Sequence, residues 1–149
     1  MVKISNYDEL YACPHVTVRH SKVKVEENGK KYILNNSSGL PVDKYHLDGD
    51  IYKSGDSTRA DYLLVVEIKQ KAFIVELKGK NAIHAIEQLQ STERDLSNAL
   101  PESDGWNVCL RLVYMSRGTK LYKKAIREQL RKISNLKVAD GGVMDCDAI

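Results

Sequence analysis

The chain has 149 residues, 42% of them hydrophobic and 29% charged, which fits one soluble globular domain over residues 1–149 able to bury a single core. Its formal net charge of +3 permits nucleic-acid binding without arguing for it, and no 18-residue apolar run or signal-like start points to a membrane or to secretion. Cys13, Cys109 and Cys146 are odd in number with no close pair, which argues against a disulfide framework and for a reduced, cytoplasmic chain.

Residues 1–15 contain SNYDELYAC, a helical turn capped by Ser5 or Asn6 with Asp8 and Glu9 near its positive end. Glu9 is the early acid on a helix. Cys13-Pro14-His15 with His20 lacks the four-ligand spacing of structural zinc. Residues 16–25 alternate as a strand, Asn28-Gly29 makes a tight turn, and residues 30–35 return, giving an N-terminal β-hairpin within 1–43. Residues 36–41 are rich in turn formers. Residues 44–52 alternate weakly as a further strand, with Asp48 and Asp50 on one face.

The most informative stretch is 59–90. Apolar runs at 62–68 and 72–77 flank the turn residues Lys69, Gln70 and Lys71, and read as a second hairpin. Asp61 opens the first run, while Glu76 and Lys78 end the second and share a strand face. A loop of two or four residues would set Asp61 opposite residue 78 or 80, on that same face. Carboxylate oxygens are the ligands Mg²⁺ or Mn²⁺ prefers, and a lysine beside them adds a charge for a water or a phosphate. The set therefore points to metal-dependent phosphodiester hydrolysis. Asp48 is a further candidate metal ligand. Arg59 either contacts a phosphate or pairs with an acid, and Lys80 joins the basic candidates.

Asn81 caps a helix over 81–99, ended by Pro101, whose apolar face is Ala82, Ala85, Ile86, Leu89, Leu96 and Leu100. His84 and Gln88 stand one turn apart off that stripe. Residues 107–115 form an apolar strand, parallel to the Glu76 strand because a helix joins them. A second helix covers 120–133, with Tyr122, Ile126, Leu130 and Ile133 inward. Between Arg111 and Lys137 there are nine Lys/Arg and one acid, Glu128, and Lys120, Lys124, Arg127 and Arg131 share one stripe suited to phosphates. A short strand over 136–139 closes the sheet, and 140–149 reads as a frayed tail.

Asp61, then Glu76-Leu77-Lys78, then a helix carrying His84 and Gln88, resembles the PD-(D/E)xK nuclease superfamily of restriction endonucleases, Holliday junction resolvases and small phage and defence nucleases. The resemblance spans about Tyr45 to Met115. It implies an α/β fold with a restriction-endonuclease-like αβββαβ core, here a mixed sheet of five or six strands flanked by helices, with the N-terminal hairpin as an addition. It also implies a Mg²⁺ or Mn²⁺ cofactor on Asp61 and Glu76, joined by the Leu77 carbonyl. Lys78 would polarise the attacking water, with His84 and Gln88 orienting groups around it. Ala60 stands where the family has proline, and no acid on a preceding helix clearly matches the family's first motif. The expected partner is nucleic acid, DNA first, and a homodimer would suit cutting both strands. The rival readings are a non-catalytic nucleic-acid-binding module on the same fold, or a phage or defence protein that binds another protein.

Overall fold

A computed structural model describes residues 4–52, 59–78, 81–115 and 120–149, with side chains in the last stretch from residue 123. The elements in order are α1 (Tyr7–Ala12), β1 (Val16–Val18), β2 (Lys22–Glu27), β3 (Lys30–Asn35), β4 (Val42–His46), β5 (Tyr62–Val66), β6 (Lys71–Lys78), α2 (Ala82–Leu96), β7 (Asn107–Tyr114), α3 (Lys120–Lys132), β8 (Leu136–Asp140) and β9 (Val143–Ala148). They build an α/β molecule with two mixed sheets. The larger has six strands in the order β1-β4-β5-β6-β7-β8, and the smaller has the order β2-β3-β9. Among the described residues no helix is long and apolar enough to cross a membrane.

Strand alternation sorts the side chains of the larger sheet onto two cores. Leu63 and Val65 of β5 and Ala72 and Ile74 of β6 meet Ala82, Ala85, Ile86 and Leu89 of α2 and Ile126 of α3. Leu64, Val66, Phe73, Val75 and Leu77 turn the other way, against Val23, Val25, Tyr32 and Leu34 of the smaller sheet. Burial on both faces explains why these strands read as nearly continuous apolar runs. Each fully buried Leu or Ile contributes roughly 1.5–3 kcal/mol. Strands β4, β5 and β6 are antiparallel, whereas β6, β7 and β8 are parallel and linked by α2 and α3.

The N-terminal hairpin forms as expected, with Glu27 opposite Lys30 and both Asn28 and Gly29 at positive φ. The single strand expected over 16–25 divides, because β1 pairs with β4 in the larger sheet while β2 belongs to the smaller one. Buried Asn36 holds the crossing point: its Nδ2 donates to the His20 and Leu40 carbonyls at 3.1 and 2.8 Å. The weak strand expected over 44–52 stops at His46 and gives way to a turn over Leu47–Ile51, with Gly49 at φ 100°. Asp48 and Asp50 therefore do not share a strand face, and Asp50 turns back to His46 at 4.0 Å.

The frayed tail expected over 140–149 is also corrected. Strand β9 pairs parallel with β3, Met144 enters the core, and Asp147 is buried. Its carboxylate receives Arg111 Nε at 2.6 Å and Nη2 at 3.2 Å, Tyr32 Oη at 2.6 Å and Lys137 Nζ at 3.2 Å. This fourfold coordination makes an acid tolerable in the interior. Burial alone would raise the Asp147 carboxyl, but Arg111, Tyr32 and Lys137 outweigh it and bring its pKa down to about 2.

Candidate active site

The hairpin loop sets the geometry of the central acids. It starts earlier than the sequence suggests: Glu67–Lys69 form a 3-10 turn and Gln70 takes left-handed backbone, so Val66 pairs with Lys71. The pairing of Tyr62 with Val75 then brings Asp61 alongside Glu76, in place of residue 78 or 80. Alternation from Leu63 and Ile74 puts Asp61, Glu76 and Lys78 all on the helix-covered face, as the spacing predicts.

Glu76 is 2% exposed. Burial, then the charge of Asp61 and its carboxyl within hydrogen-bonding reach, push the Glu76 pKa up to about 9; Lys78 and the Asp61 backbone pull weakly the other way. Among the described residues no donor reaches Glu76 Oε1. Lys78 Nζ lies 3.9 Å from Glu76 Oε2, too far for a close pair, and donates to Gln88 Oε1 at 3.3 Å. Asp61 Oδ2 accepts from the Leu77 backbone N–H at 2.9 Å, which ties the two strand ends together. Leu77 turns its side chain into the opposite core, so it can serve the site through its backbone.

Helix α2 braces the segment leading into Asp61. Asn81 caps it, accepting from His84 N at 3.1 Å. Gln88 Nε2 donates to the Arg59 carbonyl at 3.2 Å and Thr92 Oγ1 accepts from Ala60 N at 2.8 Å. Arg59 itself is 6% exposed, paired with Asp95, bonded to Ser91 Oγ at 3.0 Å and set over the Tyr52 ring. The surface phosphate contact is therefore corrected to the acid pairing: a guanidinium buried among these partners has no open face for a backbone phosphate.

Gln88 thus joins Lys78, whereas His84 does not; its ring sits 3.7 Å from Glu87 on the outer side of α2. Glu9 is away from the site as well. Its carboxylate accepts from Ser5 N and its own N–H donates to Asn6, closing the cap of α1. His15 binds the Cys13 carbonyl through Nδ1, and all three cysteines are free. On α3, Lys124, Arg127 and Arg131 are exposed along one stripe, while Lys80 and the side chains of Lys120 and Tyr122 lie outside the described residues. A cleft of ≈ 710 Å³ near Arg94, Trp106 and Asn135 lies towards the other end of α2, away from the carboxylates.

One acid at this edge escaped the sequence reading. Glu27, at the tip of the N-terminal hairpin, has its carboxyl raised by burial and then by the charges of Asp61 and Asp48. Nothing local marks it, since it reads as an ordinary turn residue before Asn-Gly. Asp48 lies in a turn and not on a strand, next to Leu47, whose N–H donates to the Asp61 carbonyl at 2.8 Å, and its Oδ1 is buried without a donor. Among the described residues, however, no three His, Cys, Asp or Glu side chains stand in a ready-made metal cage. The chain matches no family model, no curated protein and no solved structure.

Proposed function

We propose that this chain is a Mg²⁺- or Mn²⁺-dependent nuclease that hydrolyses phosphodiester bonds, with DNA as the first substrate to try, on a restriction-endonuclease-like core. The observation that carries this reading is the Asp61–Glu76 pair. A buried carboxyl with a donorless oxygen, Glu76, faces a second carboxyl, Asp61, whose charge opposes its ionisation. A cation between them would relieve both the repulsion and the missing bond. The donor set is oxygen throughout, which suits a hard divalent ion. Mg²⁺ keeps several waters and uses one or two carboxylates, so a three-acid cage is not required.

When bound, such an ion lowers the pKa of a coordinated water and offsets charge on a phosphate. Asp61 and Glu76 would hold it, with the Leu77 carbonyl as a further oxygen. Lys78 would orient the attacking water or a phosphate oxygen with its ammonium, steadied by Gln88 at 3.3 Å. Water would attack phosphorus in line and the leaving oxygen would depart on the far side. The exposed Lys124, Arg127 and Arg131 would contact the nucleic-acid backbone. The run β4-β5-β6-α2-β7 has the order of the βββαβ part of an αβββαβ core, with α1 ahead of it and β1, β2 and β3 inserted between, which supports the assignment.

The test is incubation of wild type and Lys78→Ala with plasmid, linear, single-stranded and four-way-junction DNA and with RNA, in Mg²⁺, Mn²⁺ or EDTA. Metal-dependent cleavage is expected, reduced about a hundredfold or more in the variant. Absence of cleavage on every substrate overturns the enzyme reading. Salt-sensitive binding without cleavage would then leave the non-catalytic binding module.

A further inference from the structure

Glu27 closes β2 and belongs to the sheet that covers the helix-free face of the larger one. Its tip nevertheless reaches the strand ends of the site: Lys31, beside its partner Lys30, donates its N–H to the Gly142 carbonyl at 2.9 Å, Gly142 N–H donates to the Tyr114 carbonyl at 3.1 Å, and Tyr114 pairs with Lys78. The charges of Asp61 and Asp48 act on the Glu27 carboxyl there. Glu27 Oε2 is shut off from solvent and meets no hydrogen-bond donor, and Asp48 Oδ1 and Glu76 Oε1 are in the same condition. Nearby positive groups leave that oxygen unserved. Lys30 directs Nζ to the Asn28 carbonyl at 3.0 Å, and His46 lies 4.0 Å from Asp50.

A carboxylate oxygen at the end of a hairpin has easy alternatives, such as facing water or pairing with a lysine. Glu26, the preceding residue, takes one of them by pairing with Lys31 at 3.9 Å on the outer side. Glu27 Oε2 takes neither, and a buried acceptor without a donor costs free energy unless something supplies one. Glu76, 2% exposed and also lacking a donor at Oε1, is a separate sign that the same edge expects a ligand. What these oxygens lack is hydrogen-bond donors, and the retained waters of a divalent cation are donors.

We infer that Glu27 is a further acid of the site, an outer carboxylate that takes hydrogen bonds from the water shell of the divalent cation held by Asp61 and Glu76. The inference rests on the metal-dependent reading above. It assigns the N-terminal hairpin a part in the site, because that hairpin carries Glu27 to the edge. Acids in this outer position tune metal affinity typically by ten- to a hundredfold.

The experiment is calorimetric titration of the metal-free full chain with Mn²⁺, in the absence of nucleic acid. Glu27→Gln is expected to weaken Mn²⁺ binding about tenfold while melting with the wild type. Glu27→Asp, which keeps the charge but draws it back, should fall between the two. Glu26→Gln should bind as wild type, and Asp61→Asn should lose binding. Wild-type affinity in Glu27→Gln, with binding lost in Asp61→Asn, overturns the role of Glu27 and leaves the metal reading standing. No binding by the wild type overturns both.

Discussion

The larger sheet carries a buried charge cluster on each face, and the two are built on opposite principles. On the face towards the smaller sheet, Arg111 and Asp147 meet at 2.6 Å, and Tyr32, Lys137 and the Leu110 and Asn135 carbonyls satisfy the rest. On the helix face, Asp61 and Glu76 set two carboxyls together, Lys78 stays 3.9 Å off and an oxygen is left without a donor. The first cluster pulls its acid down to about 2, whereas the second pushes its acid up to about 9. The same sequence can thus satisfy a buried carboxylate, so the unsatisfied one is not a general failing of the core. Local instability of this kind concentrates where a ligand is meant to complete the bonding.

Breaking the satisfied cluster should have the largest effect. Arg111→Met leaves Asp147 buried beside fewer donors, with an expected loss of about 3–5 kcal/mol in urea denaturation and faster amide exchange in β9. A loss under about 1 kcal/mol would mean that the Arg111–Asp147 pair does not anchor the terminal strand.

The pH profile sharpens the contrast, because the two acids act with opposite sign. Asp147 has a lowered pKa, so its contribution of about 2 kcal/mol is present above its ordinary 3.8 and is lost as pH falls through about 2. Glu76 has a raised pKa, so its penalty is absent below its ordinary 4.5 and grows as pH climbs to about 9. Glu76→Gln should therefore stabilise the metal-free chain at pH 7 by roughly 1–3 kcal/mol and bring no gain at pH 4, while abolishing Mn²⁺ binding. Equal melting temperatures of wild type and variant across that range would remove the contrast. The smallest effect belongs to the exposed helix. Arg127→Ala should change stability by less than about 0.5 kcal/mol and lower the salt slope of DNA binding by about 1.

Much of this site was legible in residue order alone. Two-residue alternation put Glu76 and Lys78 on one face, and Asn81 and the apolar stripe of α2 located the helix that brings Gln88 to Lys78. Register was less legible. Glu67 and Ile68 extend an apolar run, and nothing in their order says that the chain turns there through Gln70 at φ 49°. Arg59 was ambiguous for a related reason, since its partner Asp95 lies 36 residues along the chain on the far end of α2.

What the sequence determined by itself is everything that local periodicity and capping control: two hairpins, two helices, the parallel strand after α2, and an acid–acid–lysine set on one strand face. These depend on neighbours within a few residues, whose sterics and side-chain spacing are fixed by the backbone. The tertiary structure decided the rest. It drew Asp147 and Arg111 together from 36 positions apart and Tyr32 to Asp147 from 115, turning a polar tail into a strand. It also brought the hairpin tip that carries Glu27 to the strand end that carries Lys78. Such pairings come from burial and charge satisfaction between distant segments, and no local pattern encodes which distant partner will be met.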